Sequence, residues 1–104
     1  MAVVEISPGI CGFITKVTVK KINKRVVEVN IETDCPNIKK VAGDIKSIDV
    51  YKELFCKLHE TNIYKTLIKG MAHPTCLVPL GILKGVEVAA DLALPKDATI
   101  NVHS

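Results

Sequence analysis

The feature that most limits this chain is the run from Leu77 to Leu94, where nearly every residue is apolar or small, opened by His73-Pro74-Thr75-Cys76 and closed by Pro95. Its charges, Lys84, Glu87 and Asp91, recur at i, i+3 and i+7 and share one narrow stripe. A helix apolar on its other sides has to be buried, against a sheet, other helices or a second subunit. The run falls short of the roughly 18 uncharged apolar residues of a membrane span, so no membrane is expected. Pro79 fits a first helical turn, where the missing N–H costs little, and Thr75 or Cys76 stands where an N-cap is needed.

The core helix needs a sheet to cover it, and the first third of the chain supplies one. Ala2 to Ile6 reads as a short strand closed by Ser7-Pro8-Gly9. Phe13 to Ile22 and Val26 to Thr33 are rich in β-branched residues with period two. Val17 and Val19 share a face with Val27, Val29 and Ile31, while Lys16, Thr18, Lys20, Glu28, Asn30 and Glu32 take the other. A turn at Asn23-Lys24-Arg25 that sets Ile22 opposite Val26 places Lys20 across from Glu28 and Lys16 across from Glu32.

Asp34 or Cys35 then caps a helix with Pro36 in its first turn and Ile38, Val41, Ala42 and Ile45 on the buried face, ending near Lys46. Ser47-Ile48-Asp49 caps another over Val50 to Leu58, and Thr61 or Asn62 a third over Ile63 to Met71. After Pro95, Ala98, Ile100 and Val102 alternate with Thr99, Asn101 and His103 as a last strand. The expectation for residues 1–104 is a single α+β domain of β-β-β-α-α-α-α-β order, with helices packed on one face of an antiparallel sheet.

The formal net charge of +3 permits an anionic partner without demanding one. The basic residues Lys16, Lys20, Lys21, Lys24 and Arg25 are half neutralised by the hairpin pairing, and no aromatics interleave for base stacking, so nucleic acid is not an expected partner. An apolar fraction of 48% and a mean hydropathy of +0.29 are high for so small a chain and point to a homodimer or a ligand covering apolar surface. The N-terminus has no signal-peptide layout, so the cytoplasm is expected. There, the four cysteines are free thiols or metal ligands.

The cysteines are placed for chemistry. Cys11 lies between Gly9 and Gly12 on a bend with open backbone, and Cys35 and Cys76 each stand at a helix start with a proline just inside. Helix starts favour thiolate, the form that binds metals and attacks electrophiles. His73 completes His-x-x-Cys with Cys76. Cys11, Cys35, His73 and Cys76 therefore form the expected metal site, for zinc or an iron–sulfur cluster, with Cys56 as a substitute. His59 and His103 read as surface residues. The rival reading is a thiol redox enzyme or peroxide reductase in which Cys76 is the nucleophile with His73 near it and Cys35 resolves it; Asp34 as orienter of His73 has no support in the sequence separation. A third is a homodimeric interaction module held by the apolar helix, with no chemistry of its own.

The motifs Pro8-Gly9-Ile10-Cys11-Gly12-Phe13, Asp34-Cys35-Pro36-Asn37-Ile38 and His73-Pro74-Thr75-Cys76-Leu77-Val78-Pro79, with Glu87 to Pro95, resemble a small functionally uncharacterised family of anaerobic bacteria and archaea. The resemblance spans nearly the whole chain and implies single-domain cytoplasmic proteins with no established activity. More distantly, a hairpin followed by a helix-starting cysteine is similar to iron–sulfur assembly scaffolds, and a cysteine opening a long buried helix is similar to OsmC-like peroxide reductases. The scaffolds' further cysteine pair and nearby Asp are matched only loosely, the Asp by Asp34 beside Cys35. The activating arginine of the OsmC-like proteins has no counterpart, because Arg25 lies in a hairpin turn. Neither likeness assigns a role to a residue.

Overall fold

The computed structural model describes residues 1–71 and 73–104. Strands β1 (Ala2–Ile6), β2 (Thr15–Lys21) and β3 (Val26–Thr33) lead into helix α1 (Pro36–Ala42). Then come β4 (Ser47–Asp49), α2 (Val50–Leu54), a 3₁₀ turn at Leu58–Glu60, α3 (Asn62–Leu67) and α4 (Val78–Ala89). The four strands form one antiparallel sheet in the order β1-β2-β3-β4, and the class is α+β.

The hairpin has the register that its charges imply. Ile22 donates its N–H to the Val26 carbonyl at 2.9 Å, and Lys20 pairs with Glu28 and Lys16 with Glu32 across the β2–β3 ladder. Because side chains alternate along a strand, that register turns Thr15, Val17, Val19, Val27 and Val29 toward the helices. All five are buried, while Lys16, Lys20, Glu28, Asn30 and Glu32 stay in water. One face of the sheet is thus packed and the other wet.

Helix α4 lies across β1 and β2 and carries the centre of the core, with Ile82 and Val86 fully buried. Its close approach depends on two glycines. A Cβ at Gly81 would collide with the Ile6 side chain, and one at Gly85 would sit 2.9 Å from Val4 and 3.0 Å from Val19. The small residues that give the run its bland composition are therefore contact points between backbone and sheet.

Four expectations need correction. The apolar helix ends at Ala89 rather than Leu94, because Asp91 takes a left-handed φ of 62° and closes the helix end. Leu92 N–H bonds to the Glu87 carbonyl at 2.9 Å and Asp91 N–H to that of Val88 at 3.1 Å, the paired bonds of a Schellman motif. At its other end the N-cap is Leu77, not Thr75 or Cys76, and no side chain caps it. The helices after β3 and β4 are shorter than their apolar patterns: α1 stops at Ala42 with Gly43 as C-cap, and α2 stops at Leu54, so Ile45 is buried from a turn. Finally, Ala98 to His103 is no strand. Ser47–Asp49 takes the place beside β3, and the terminal segment stays exposed with its alternation unused.

Candidate functional site

Three junctions meet at one end of the sheet. The β1–β2 connection carries Gly9-Ile10-Cys11-Gly12, a turn closed by the Gly12 N–H bonding to the Gly9 carbonyl at 3.1 Å. Gly9 and Gly12 have φ of 97° and 71°, a backbone that other residues adopt only under strain, so the two glycines fix where Cys11 is offered. Cys11 is exposed on that turn.

The β3–α1 junction carries Cys35, the N-cap of α1, with Pro36 as the first helical residue. Its backbone N–H bonds to Thr33 Oγ1 at 3.1 Å, and Thr33 Oγ1 lies 2.8 Å from Thr15 Oγ1 on the neighbouring strand. Thr15 is fully buried. The hydroxyl pair thus ties Cys35 to the sheet, and a buried polar group satisfied in this way holds its position firmly. Thr15 keeps phase with Val17 and Val19 on the core face. A hydroxyl at a core-phase position was the signal by which the sequence could have revealed this support.

The segment before α4 brings His73 and Cys76. His73 is exposed and Cys76 half-buried, one residue ahead of the Leu77 cap. Cys76 is therefore close to the helix start without being its cap.

Cys11, Cys35, His73 and Cys76 line a single cavity of about 390 Å³. Ile38, Met71 and Val78 give it apolar walls, with Phe13, Thr15 and Asn37 also on its lining. The volume lies within the range of small-ligand sites. Among the described residues, no three His, Cys, Asp or Glu side chains stand close enough to share one metal ion. The four donors thus converge on a common space without closing on a common point. Cys56 is not part of the lining; it is exposed past the end of α2, with Sγ 3.7 Å from the Glu53 carbonyl. Asp34 is exposed and absent from the lining too, as are His59 and His103. Sequence reading did not foresee Met71, Phe13 or Asn37 at this cavity, since nothing in their local pattern separates a cavity wall from core or surface.

An α+β sandwich with a thiol-lined cavity at the end of its sheet is the class of protein defined here. The chain matches a family of unknown function, DUF6951, over residues 2–102, and belongs to it. No curated protein and no solved structure matches it. Among the described residues no helix is long and apolar enough to cross a membrane.

Proposed function

We propose that the cavity binds a thiophilic metal centre, zinc or an iron–sulfur cluster, through Cys11, Cys35 and Cys76 with His73 as the fourth donor, and that the protein handles metal, clusters or electrons. One observation carries this reading: three thiols and an imidazole, drawn from positions 11 to 76 of the chain, line the same small cavity. Soft sulfur donors with one imidazole are the ligand set that zinc and iron–sulfur centres take. Cys35, anchored through Thr33, and Cys76 would hold the centre together with Cys11 on the glycine-flanked turn and His73, and the centre would supply Lewis-acid or electron-transfer chemistry there. A reducing compartment such as the cytoplasm fits ligands that must stay as thiolates. Metal analysis and a visible spectrum on protein purified without oxygen test the proposal. Stoichiometric zinc or iron is expected, lost in the Cys11→Ser/Cys35→Ser/Cys76→Ser variant; a metal content unchanged by those substitutions would falsify it.

The spacing of the donors supports a second reading, since no three of them share a metal-sized point while the cavity has room for a small organic molecule. In it Cys76 thiolate attacks the O–O bond of a peroxide, giving Cys76 sulfenic acid and releasing alkoxide or hydroxide, which takes up a proton to leave as alcohol or water. Cys35 thiol then displaces water from the sulfenic sulfur to form the Cys35–Cys76 disulfide. Metal-free protein that acquires this disulfide with one equivalent of peroxide is the outcome by which this chemistry replaces the first.

A further inference from the structure

The chain contains both a strand-like segment without a sheet and a sheet edge without a neighbour. Every residue from Leu94 to Ser104 is exposed and outside any helix or strand, and among the described residues no backbone hydrogen bond involves that stretch. Yet Ala98, Ile100 and Val102 alternate with Thr99, Asn101 and His103, the pattern of a strand with one covered and one wet face. Ile100 is 68% exposed and Val102 87%, side chains left in water by a segment patterned to bury them. The family match runs to residue 102 and so takes in this segment as far as Val102.

The edge is β1. It ends the sheet, and among the described residues no strand lies against its outer backbone groups. On the core face of β1, Ala2 and Ile6 are buried and Val4 between them is half-buried, as Ile31 is on β3. Such an edge is a template for one more strand. The opposite edge, β4, is three residues long and runs directly into α2, which leaves no room for a six-residue partner.

We propose that Ala98 to His103 adds to the β1 edge of a second copy of the chain while that copy's segment adds here, giving a two-fold dimer of five-stranded sheets. Among the described residues donor and acceptor each occur once per chain and neither is satisfied alone, so a reciprocal exchange saturates both and stops at two copies. The added strand sets Ala98, Ile100 and Val102 beside Val4 on the helix-covered face. Thr99, Asn101 and His103 continue the wet face of Val3 and Glu5.

Sedimentation equilibrium tests this on the full chain, on a chain ending at Pro95, and on Ile100→Asp/Val102→Asp. The expected result is a mass about twice the 11.3 kDa of one chain for the first and a single-chain mass for the other two, with helical circular dichroism showing all three folded. Amide exchange then shows Ala2 to Ile6 protected in the full chain and at least tenfold faster in the shortened one. A full chain of single-chain mass overturns the proposal, including the case where β1 is protected because the segment pairs within its own molecule. A dimer that survives both changes overturns it as well, by placing the interface elsewhere.

Discussion

Thr15 and Thr33 face each other across the β2–β3 ladder with their hydroxyl oxygens 2.8 Å apart, and Thr33 also receives the backbone N–H of Cys35. The candidate site is therefore joined to the sheet by side chains from two strands as well as by the chain itself. Replacing Thr33 with Val leaves the Thr15 hydroxyl buried without a partner, a cost of about 1–3 kcal/mol. Thr15→Val/Thr33→Val removes both groups and is expected to recover much of that loss. Urea denaturation of the two singles and the double checks it: additive losses would mean the pair is not coupled.

Glu53 is buried at 2% exposure, and its two carboxylate oxygens accept the N–H groups of Asn62 at 2.6 Å and Ile63 at 3.1 Å. Together with Thr61 Oγ1, which accepts from Tyr64, it satisfies the first three free donors of α3. Glu53→Ala strips two of them inside the protein and is expected to cost about 2–4 kcal/mol, with Glu53→Gln losing less because one oxygen remains. Thermal or urea unfolding of the two variants gives the order. Equal losses would assign the effect to volume rather than to capping.

Much of this arrangement was legible in advance, for identifiable physical reasons. The hairpin register followed from period-two alternation and opposite charges, which act between neighbours and leave their mark in sequence. The gathering of Cys11, Cys35, His73 and Cys76 followed from all four lying in junctions, because junctions in a two-layer fold collect at the sheet ends. What escaped was settled by distant partners. Glu53 caps a helix nine residues away, and no local pattern distinguishes it from a solvated glutamate. Asp91 ends a helix whose composition would have carried it further, and Ser47–Asp49 became a strand only because the β3 edge was within reach. The distances among the four donors were beyond sequence for the same reason, since they depend on how three separate connections settle.

Loosening the turn that presents Cys11 separates backbone from side-chain effects. At Gly12 a Cβ meets nothing within 4 Å, so Gly12→Ala introduces only the strain of a positive φ, about 1 kcal/mol. Overall stability is expected to fall by no more than that. Labelling of Cys11 by a thiol reagent is expected to change rate by severalfold while Cys56, exposed past the end of α2 and outside the cavity lining, does not respond. An unchanged Cys11 rate would show that the glycine does not fix the thiol's presentation.

Acid should act through Asp49. Its Oδ1 accepts from Tyr51 and Lys52 at the start of α2, at 3.1 and 3.3 Å, and its Oδ2 lies 3.2 Å from the Arg25 guanidinium. Partial desolvation pushes the carboxyl up, but the two amides and Arg25 outweigh it and hold the group below its ordinary 3.8. A carboxyl depressed by folding contributes stability that is present above its unfolded value, about 3.9, and is lost as pH falls through the folded one. Asp49→Asn keeps a good N-cap without the charge. The wild-type advantage in melting temperature is expected to be present at pH 7 and to shrink below about pH 4. An advantage of the same size at pH 3 and pH 7 would remove Asp49 from the acid limb.

Asp91 gives the opposite kind of test, a substitution that should stabilise. It holds a left-handed φ of 62° at the C′ position of α4, where glycine is free of the strain a Cβ imposes. Its compensation is an ion pair with Lys21 at 3.0 Å, but the Asp91 side chain is 80% exposed, and such a pair contributes little. Asp91→Gly is therefore expected to raise stability by about 0.5–1 kcal/mol, the backbone gain less a small electrostatic loss. Asp91→Ala is expected to lower it, because it keeps the strain and discards the pair. Salt separates the two contributions: raising ionic strength screens the Lys21 pair in the parent and leaves the glycine variant unaffected, so the gap between them should widen. A gap that narrows with salt, or an alanine variant as stable as the glycine one, would mean that the helix end is held by something other than the backbone at Asp91.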